Sequence, residues 1–291
     1  MLKRKRSRPL QNSWESNILE RSFELDKLYK SLNLYPEDMG VWDPKHIEKL
    51  DISNFRSDNV YVWQTRGSHE KQYLVSFLLA KLQDHANLLA LISEDGTFGA
   101  ETYEFLGEKV SRDRMDSSLE INFLIECVTS KRLGNYKILD IGAGYGRLAK
   151  NLCKVFPDIQ VSCVDSVPIS TAISEFYLQS QINSGQITTY DLASLTKIPV
   201  NSIDLATNVH SFSEMSLESV RNWAHFLREK RVPKLFIVPN PSELRLNSGE
   251  DYQHIFEDYG YSVKVKRAKY PIGIDPSLLL YPSNYFYLEL E

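Results

Sequence analysis

Apolar and polar residues follow two different patterns along this 291-residue chain, and the change falls near residue 110. Downstream, short apolar runs typical of buried strands alternate with stretches of helical periodicity, which indicates a parallel sheet covered by helices on both faces. The predicted strands are Y-K-I-L-D-I, I-Q-V-S-C-V-D, I-T-T-Y-D, I-D-L-A-T-N, K-L-F-I-V, Y-S-V-K-V-K-R and Y-F-Y-L-E-L. The last two alternate strictly and can pair as antiparallel neighbours at a sheet edge. The pattern predicts an α/β fold with a seven-stranded, mostly parallel sheet whose last strand is antiparallel.

The upstream part has a helical pattern instead. Apolar residues recur at helical spacing over residues 18–32 and again over residues 73–92, with an irregular aromatic stretch, V-Y-V-W-Q-T-R-G-S, between them. We therefore predict three parts: a basic disordered tail (1–12), a helical N-terminal accessory or lid region (13–110) and a ligand-binding domain (111–291). Asp116 or Ser117 is predicted to cap the first helix of that domain.

Composition narrows the class of protein. Charged residues make up 25% of the chain and the net charge is -4, which argues against a nucleic-acid partner. The basic start lacks the apolar stretch of a signal peptide, and no window approaches the roughly 20 apolar residues of a membrane span. Cys127, Cys153 and Cys163 are isolated, so they predict neither a zinc site nor a disulfide framework. A reducing, cytoplasmic location is expected.

The turn D-I-G-A-G-Y-G-R, residues 140–147, joins the first predicted parallel strand to a helix. Its glycines permit a tight turn beside a ligand. The spacing is G-x-G-x-G, and Arg147 stands where a dinucleotide-binding turn has its third glycine. Asp140 would repel a pyrophosphate but suits a cationic ligand. Both features favour S-adenosylmethionine over NAD.

Two further acids end the next two strands. Asp165 stands where a carboxylate can accept both ribose hydroxyls, and Asp191 where one can accept from an adenine amino group, with Leu192 packing on the ring. Each alone could be a helix cap or a turn former. Together with Asp140 they predict a nucleoside-bearing ligand at one edge of the sheet.

Three segments carry a resemblance to a known family: V-S-R-D-R-M-D-S-S-L-E-I-N-F-L from Val110, then G-Y-G-R-L-A, then N-V-H-S-F-S-E-M from Asn208. The chain resembles class I S-adenosylmethionine-dependent methyltransferases, and more narrowly the sugar O-methyltransferase family, over about residues 90 to 291. One departure is V-D-S-V-P after the second strand, where a D-L-P-E type of sequence is expected. The resemblance implies a Rossmann-like fold and a cofactor site formed by Asp140, Gly142, Ala143, Gly144, Tyr145, Gly146, Asp165, Ser166, Asp191, Leu192, Asn208 and Val209.

Methyl transfer to a hydroxyl needs alignment of the reacting atoms and benefits from a general base. His210 directly follows a central strand beside the predicted pocket, so it is the candidate base, with substrate binding or a structural role as alternatives. Glu214 has two interpretations. The segment S-F-S-E fits a capping box, and the carboxylate could instead orient His210 or bind a sugar hydroxyl.

The acceptor is predicted to be a small molecule or a glycan. Arg66, Arg112 and Arg114 are candidates for contact with it, and a solvated charge cluster is the alternative for Arg112 and Arg114. Trp63, Gln64, Arg66 and Tyr73 could form a lid, with core packing as the alternative for the aromatic residues. A metal-assisted reaction is a further alternative. The candidate ligands are Asp191, Asp204, His210, Glu214 and Glu243. Their spacing is not diagnostic of a metal site, so no site is predicted. Another small-molecule or protein acceptor, a catalytically silent cofactor-binding scaffold and a homodimer through the N-terminal region are further alternatives.

Overall fold

The computed structural model describes residues 13–35, 42, 50–57, 68–128 and 133–291. The helices are α1 (Ser13–Ser31), α2 (Glu70–Gln83), α3 (Leu88–Leu91), α4 (Arg112–Val128), α5 (Arg147–Val155), α6 (Pro168–Tyr177), α7 (Gln179–Asn183), α8 (Ser211–Glu214), α9 (Leu217–Glu229) and α10 (Gln253–Asp258). The strands are β1 (Tyr103–Phe105), β2 (Glu108–Val110), β3 (Lys137–Ile141), β4 (Gln160–Val164), β5 (Ile187–Tyr190), β6 (Leu205–Val209), β7 (Lys234–Val238), β8 (Tyr261–Ala268) and β9 (Asn284–Leu290).

The central sheet has seven strands in the order β5-β4-β3-β6-β7-β9-β8. The five strands β3 to β7 are parallel to one another, whereas β9 is antiparallel to both β7 and β8. This confirms the predicted Rossmann-like fold. The order reverses between β3 and β6, so the carboxyl ends of β3, β4 and β6 border one crevice, which is where open α/β sheets bind ligands.

Alternate residues of the strands enter two different cores, as the pleat requires. Ile138 packs with residues of α4 and α5, while the next residue, Leu139, packs with residues of α9 and α10 on the opposite face. Burial on both faces explains why the central strands are continuous apolar runs.

Helix α4 begins at Arg112, one turn before the predicted caps Asp116 and Ser117, so that prediction is wrong. Ser111 performs the capping role, because its Oγ accepts a hydrogen bond from the backbone N–H of Arg114 at 3.0 Å. The helix lies between α2, α3, α5 and β9. It is therefore buried on all sides from Asp113 to Leu124, although it carries several charged residues.

The N-terminal region is not purely helical. Strands β1 and β2 form a two-stranded antiparallel hairpin, with Leu106 and Gly107 both at positive φ in the turn. The predicted basic tail, residues 1–12, lies outside the described residues. Among those that are described, no helix is both long and apolar enough to cross a membrane.

Candidate cofactor and acceptor site

A cavity of about 620 Å³ opens at the carboxyl ends of β3, β4 and β6. Its walls also include the turn that follows α1 and one side of α9. Predicted site residues that line it are Arg112, Asp140, Gly142, Ala143, Gly144, Tyr145, Asp165, Ser166, Leu192, Val209, His210 and Glu214. The predicted residues Gly146, Asp191, Asn208 and Arg114 do not line it.

The glycine turn is shaped by contacts inside the protein. Gly142 has a φ of +68°, and a Cβ at this position would lie 2.1 Å from the Oγ of Ser211. At Gly146, with φ +89°, a Cβ would lie 2.4 Å from Leu178. Glycine is thus required at both positions by backbone conformation and by neighbouring side chains. The result is a backbone loop that forms one wall of the cavity.

Asp165 lies directly after β4, with its carboxylate held by the turn. Its oxygens accept hydrogen bonds from the backbone N–H groups of Gly144, at 2.9 Å, and Val167, at 2.8 Å. Burial raises the pKa of Asp165 to about 6, although both hydrogen bonds oppose the shift. Each oxygen keeps a lone pair that can accept from a ligand hydroxyl.

Asp140 is buried in β3 and borders the same cavity. The hydroxyl of Thr207, its neighbour on β6, donates to the Asp140 Oδ1 at 2.7 Å. Burial raises the pKa of this carboxyl to about 7, because it forms no ion pair with the described residues. A carboxylate that is buried beside a cavity and unpaired fits a cationic ligand, which would restore its charged form.

Arg147 occupies the position of the third glycine of a dinucleotide-binding turn, and the structure shows its role. Its guanidinium reaches α4, where it donates to Glu120 at 2.8 and 3.0 Å and to the Ser117 Oγ at 2.9 Å. The hydroxyl of Tyr145 likewise donates to Asp113 at 2.6 Å. Buried charge pairs therefore fasten the glycine turn to α4.

His210 has the most unusual backbone in the site. Its φ of +69° is rare for a residue with a side chain, and its N–H donates to the Val238 carbonyl at 2.7 Å. The ring packs edge-on against Tyr281, with centroids 5.5 Å apart. Burial, followed by the charge of Arg112, lowers the pKa of His210 to about 3, so the imidazole is neutral at physiological pH.

The capping-box interpretation of Glu214 is wrong. Helix α8 has no side-chain cap from its N-cap residue, His210. The cap comes from Asn208, whose Oδ1 accepts from the Phe212 N–H at 2.9 Å, while its amide donates to the Ile141 carbonyl at 2.9 Å. Asn208 is therefore fully used inside the protein.

Glu214 instead presents a buried carboxylate to the cavity. Its oxygens accept from the indole N–H of Trp42 at 2.8 Å and from the side-chain amide of Asn240 at 3.1 Å. Both donors are neutral groups, and they fix the orientation of the carboxylate.

Asp191 caps a short 3-10 turn, Leu192–Lys197, by accepting from the Ser194 N–H at 2.8 Å. The adjacent Leu192 N–H donates to the hydroxyl of Tyr29 in α1, at 3.2 Å. Only the Leu192 side of this strand end reaches the cavity.

The two described arginines from the predicted substrate set have different positions. Arg112 lines the cavity and lies 3.3 Å from Asp113 and 3.6 Å from Asp116. Arg114 is buried elsewhere, where it bonds Glu108 at 2.6 Å and three backbone carbonyls. Arg114 therefore does not reach the cavity. The alternative prediction, that it belongs to a solvated charge cluster, is wrong as well, because only 8% of its side chain is exposed.

The predicted lid lies mostly outside the described residues, which include neither Arg66, Trp63 nor Gln64. Tyr73 is buried in α2, and its hydroxyl donates to Glu101 at 3.2 Å. It thus has the core role that the aromatic pattern allowed.

The proposed metal ligands do not converge. Asp204 accepts from the Lys137 N–H at 2.8 Å, at the start of β3, so it lies at the end of the sheet opposite the cavity. Glu243 pairs with Lys266 at 2.6 Å. In the described part of the chain, no group of three or more His, Cys, Asp or Glu side chains could hold a metal ion.

The sequence pattern missed several aromatic residues of the cavity wall, namely Tyr35, Trp42, Trp223 and Phe226. Trp223 and Phe226 belong to a helix that was predicted, but periodicity does not distinguish a cavity wall from a core. Trp42 comes from an aperiodic stretch and offered no signal.

Residues 108–206 match the family model of the methyltransferase small domain. The chain is also similar to the magnesium protoporphyrin IX methyltransferase from Synechocystis PCC 6803, solved with bound S-adenosylmethionine. The identity is 13%, the match covers 77% of this chain and 99% of that chain, and the TM-score is 0.45. It is similar as well to a SAM-dependent methyltransferase from Aquifex aeolicus. There the identity is 16%, the match covers 74% of this chain and 98% of that chain, and the TM-score is 0.43. No curated protein matches the chain in sequence.

The matched segment contains the glycine turn, Asp140 and Asp165, and it lies within a sheet of the Rossmann-like order. Over residues 108–206 the chain is therefore similar to the methyltransferase small domain.

Proposed function

We propose that the protein is an S-adenosylmethionine-dependent O-methyltransferase that acts on a hydroxyl of a sugar or of a sugar-containing precursor. One observation carries the proposal. A single cavity is lined both by the glycine turn, Asp140 and Asp165 and by His210, Glu214 and aromatic side chains. A cofactor and a polyhydroxylated acceptor can therefore meet within it.

The cofactor end suits a ligand with a ribose and positive charge. Bound S-adenosylmethionine supplies an activated methyl group on a sulfonium. Asp165 would accept from the ribose hydroxyls, because its carboxylate is already oriented by two backbone donors. Asp140 would hold the positive end, and its ionisation would be favoured by that contact.

The acceptor end suits a sugar. Tyr35, Trp42 and Trp223 offer flat apolar faces for the C–H faces of a pyranose, while Glu214 accepts hydrogen bonds from hydroxyls. Neutral His210, which lines the cavity, would accept the proton of the attacking hydroxyl as the new bond forms. Its low pKa makes it a weak base, so most of the acceleration would come from positioning.

The proposal is tested by binding and then by turnover. S-adenosylhomocysteine binding to the purified protein is measured by calorimetry, and methylation is followed with labelled cofactor on a panel of free sugars, nucleotide sugars and non-sugar alcohols. The proposal expects labelling of sugar hydroxyls and a loss of about 10²-fold in kcat for His210→Ala, the lower end of the general-base range, because His210 is a weak base.

His225→Ala is the matched control, since His225 is exposed on α9 and pairs with Glu229 at 3.4 Å. Labelling confined to non-sugar or protein acceptors would leave a methyltransferase of different specificity. Cofactor binding without turnover on any acceptor would favour the silent scaffold.

A further inference from the structure

Two polar groups at the end of β5 could form hydrogen bonds to an adenine base, but both already form hydrogen bonds within the protein. The Asp191 carboxylate accepts from Ser194, and the Leu192 N–H donates to Tyr29. Asp191 does not line the cavity, and Leu192 and Leu195 contribute apolar surface to it. The base can pack there, but another element must recognise its polar edge.

Helix α1 is fixed beside this strand end. Arg21 forms two hydrogen bonds to Glu175 of α6, at 2.8 and 3.0 Å, and Ile18 and Leu25 are buried. Tyr29 is fully buried under the Leu192 backbone, and burial raises the pKa of its phenol to about 12. This end of α1 is therefore part of the site wall.

The turn that follows α1 places Asn33, Leu34 and Tyr35 on the cavity. The Leu34 N–H donates to the Tyr29 carbonyl at 2.9 Å, and the Tyr35 hydroxyl donates to Asp26 at 2.8 Å, which fixes the turn. Asn33 has a φ of +52°, a conformation that asparagine tolerates. Its exposed side-chain amide makes no hydrogen bond to the described residues.

An asparagine amide can pair with both the 6-amino group and N7 of adenine. We propose that Asn33 recognises the adenine base of the cofactor, so that the turn following the N-terminal helix supplies the base specificity of the site. This inference rests on the proposed cofactor, and its test separates the two.

The experiment measures dissociation constants by calorimetry for S-adenosylhomocysteine and for two analogues, one with hypoxanthine and one with 7-deazaadenine as base. The variants are Asn33→Gly, which keeps the positive φ, and Asn33→Asp, which keeps the shape but loses the amino donor. Asn17→Ala is the control, because Asn17 is exposed on α1 and does not line the cavity.

The wild type should prefer adenine over both altered bases by roughly tenfold. Asn33→Gly should bind S-adenosylhomocysteine roughly tenfold more weakly and lose the preference, whereas Asn17→Ala should keep it. Asn33→Asp should lose the preference over the 7-deaza base, because a carboxylate repels N7, but should keep the preference over hypoxanthine, because its oxygen still accepts from the 6-amino group. An undiminished preference in Asn33→Gly, with its thermal unfolding unchanged, would overturn the role of Asn33. Absence of binding to the wild type would instead overturn the cofactor.

Discussion

Replacing Asp140 by Asn should stabilise the protein above neutral pH while weakening cofactor binding. The carboxyl is buried in β3, accepts from Thr207, and has its pKa raised from 3.8 to about 7. Between these two pH values the folded protein holds a proton that the unfolded chain releases. Stability is therefore lost as the pH rises from about 4 to about 7. Asparagine keeps the shape without that loss.

The magnitude follows from the size of the shift. A rise of about three pKa units, at roughly 1.4 kcal/mol each, sets an upper limit of about 4 kcal/mol for the cost of ionising Asp140. The difference in free energy of unfolding between Asp140→Asn and the wild type should therefore be more favourable to the variant at pH 8 than at pH 4, by up to about 4 kcal/mol.

The assay is urea unfolding of both proteins at intervals from pH 4 to pH 8, with equal m-values as the condition for comparing midpoints. Asp158→Asn removes an exposed carboxylate and serves as the control. If the wild type and Asp140→Asn differ by the same amount at every pH, the buried, unpaired state of Asp140 is refuted. Calorimetry in buffers of different ionisation enthalpy should also show proton release when the cationic cofactor binds near pH 7.

Three other predictions concern His210, the glycine turn and the ion pair between Arg147 and Glu120. Because the pKa of His210 is lowered to about 3, kcat/KM should show no titration of His210 between pH 5 and 8; a step near 6.5 that disappears in His210→Gln would contradict this. Gly142→Ala should destabilise the protein and abolish cofactor binding, whereas Gly185→Ala, at φ +78° with open space, should cost only the backbone strain in thermal unfolding. Arg147→Met should cost about 3–5 kcal/mol in urea unfolding, since it leaves Glu120 buried without its partner, and Arg147→Met with Glu120→Gln should recover part of that loss.

The sheet and the cofactor turn could be predicted because local patterns determine them. Each run of apolar residues buried on both faces became a strand, and the turn from Gly142 to Gly146 needs glycine for local backbone reasons. Asp191 shows the limit of this reasoning. An acid after a strand can serve a ligand or cap the next turn, and the sequence does not distinguish the two uses.

The remaining parts of the site depend on contacts between distant segments. Trp42 forms a hydrogen bond to Glu214, and Tyr29 forms one to the Leu192 backbone. Neither contact can be predicted from the periodicity of the sequence. Helix α4 is similar, because its charged residues suggest a solvated face. Their partners, such as Arg147, come from other elements and allow full burial.

The segment from Asn208 to Glu214 shows how one local choice changes the chemistry of its neighbours. Asn208 caps α8 and ties it to β3, so Glu214 has no capping role and is available to the cavity. His210 lies between them at φ +69°, a conformation that costs about 1–3 kcal/mol for a residue with a side chain. The bond from its N–H to Val238 holds that conformation, which brings the imidazole to the cavity wall. Since glycine would adopt this backbone without strain, folding alone does not account for histidine, and its presence favours a role for the ring in binding or turnover of the acceptor.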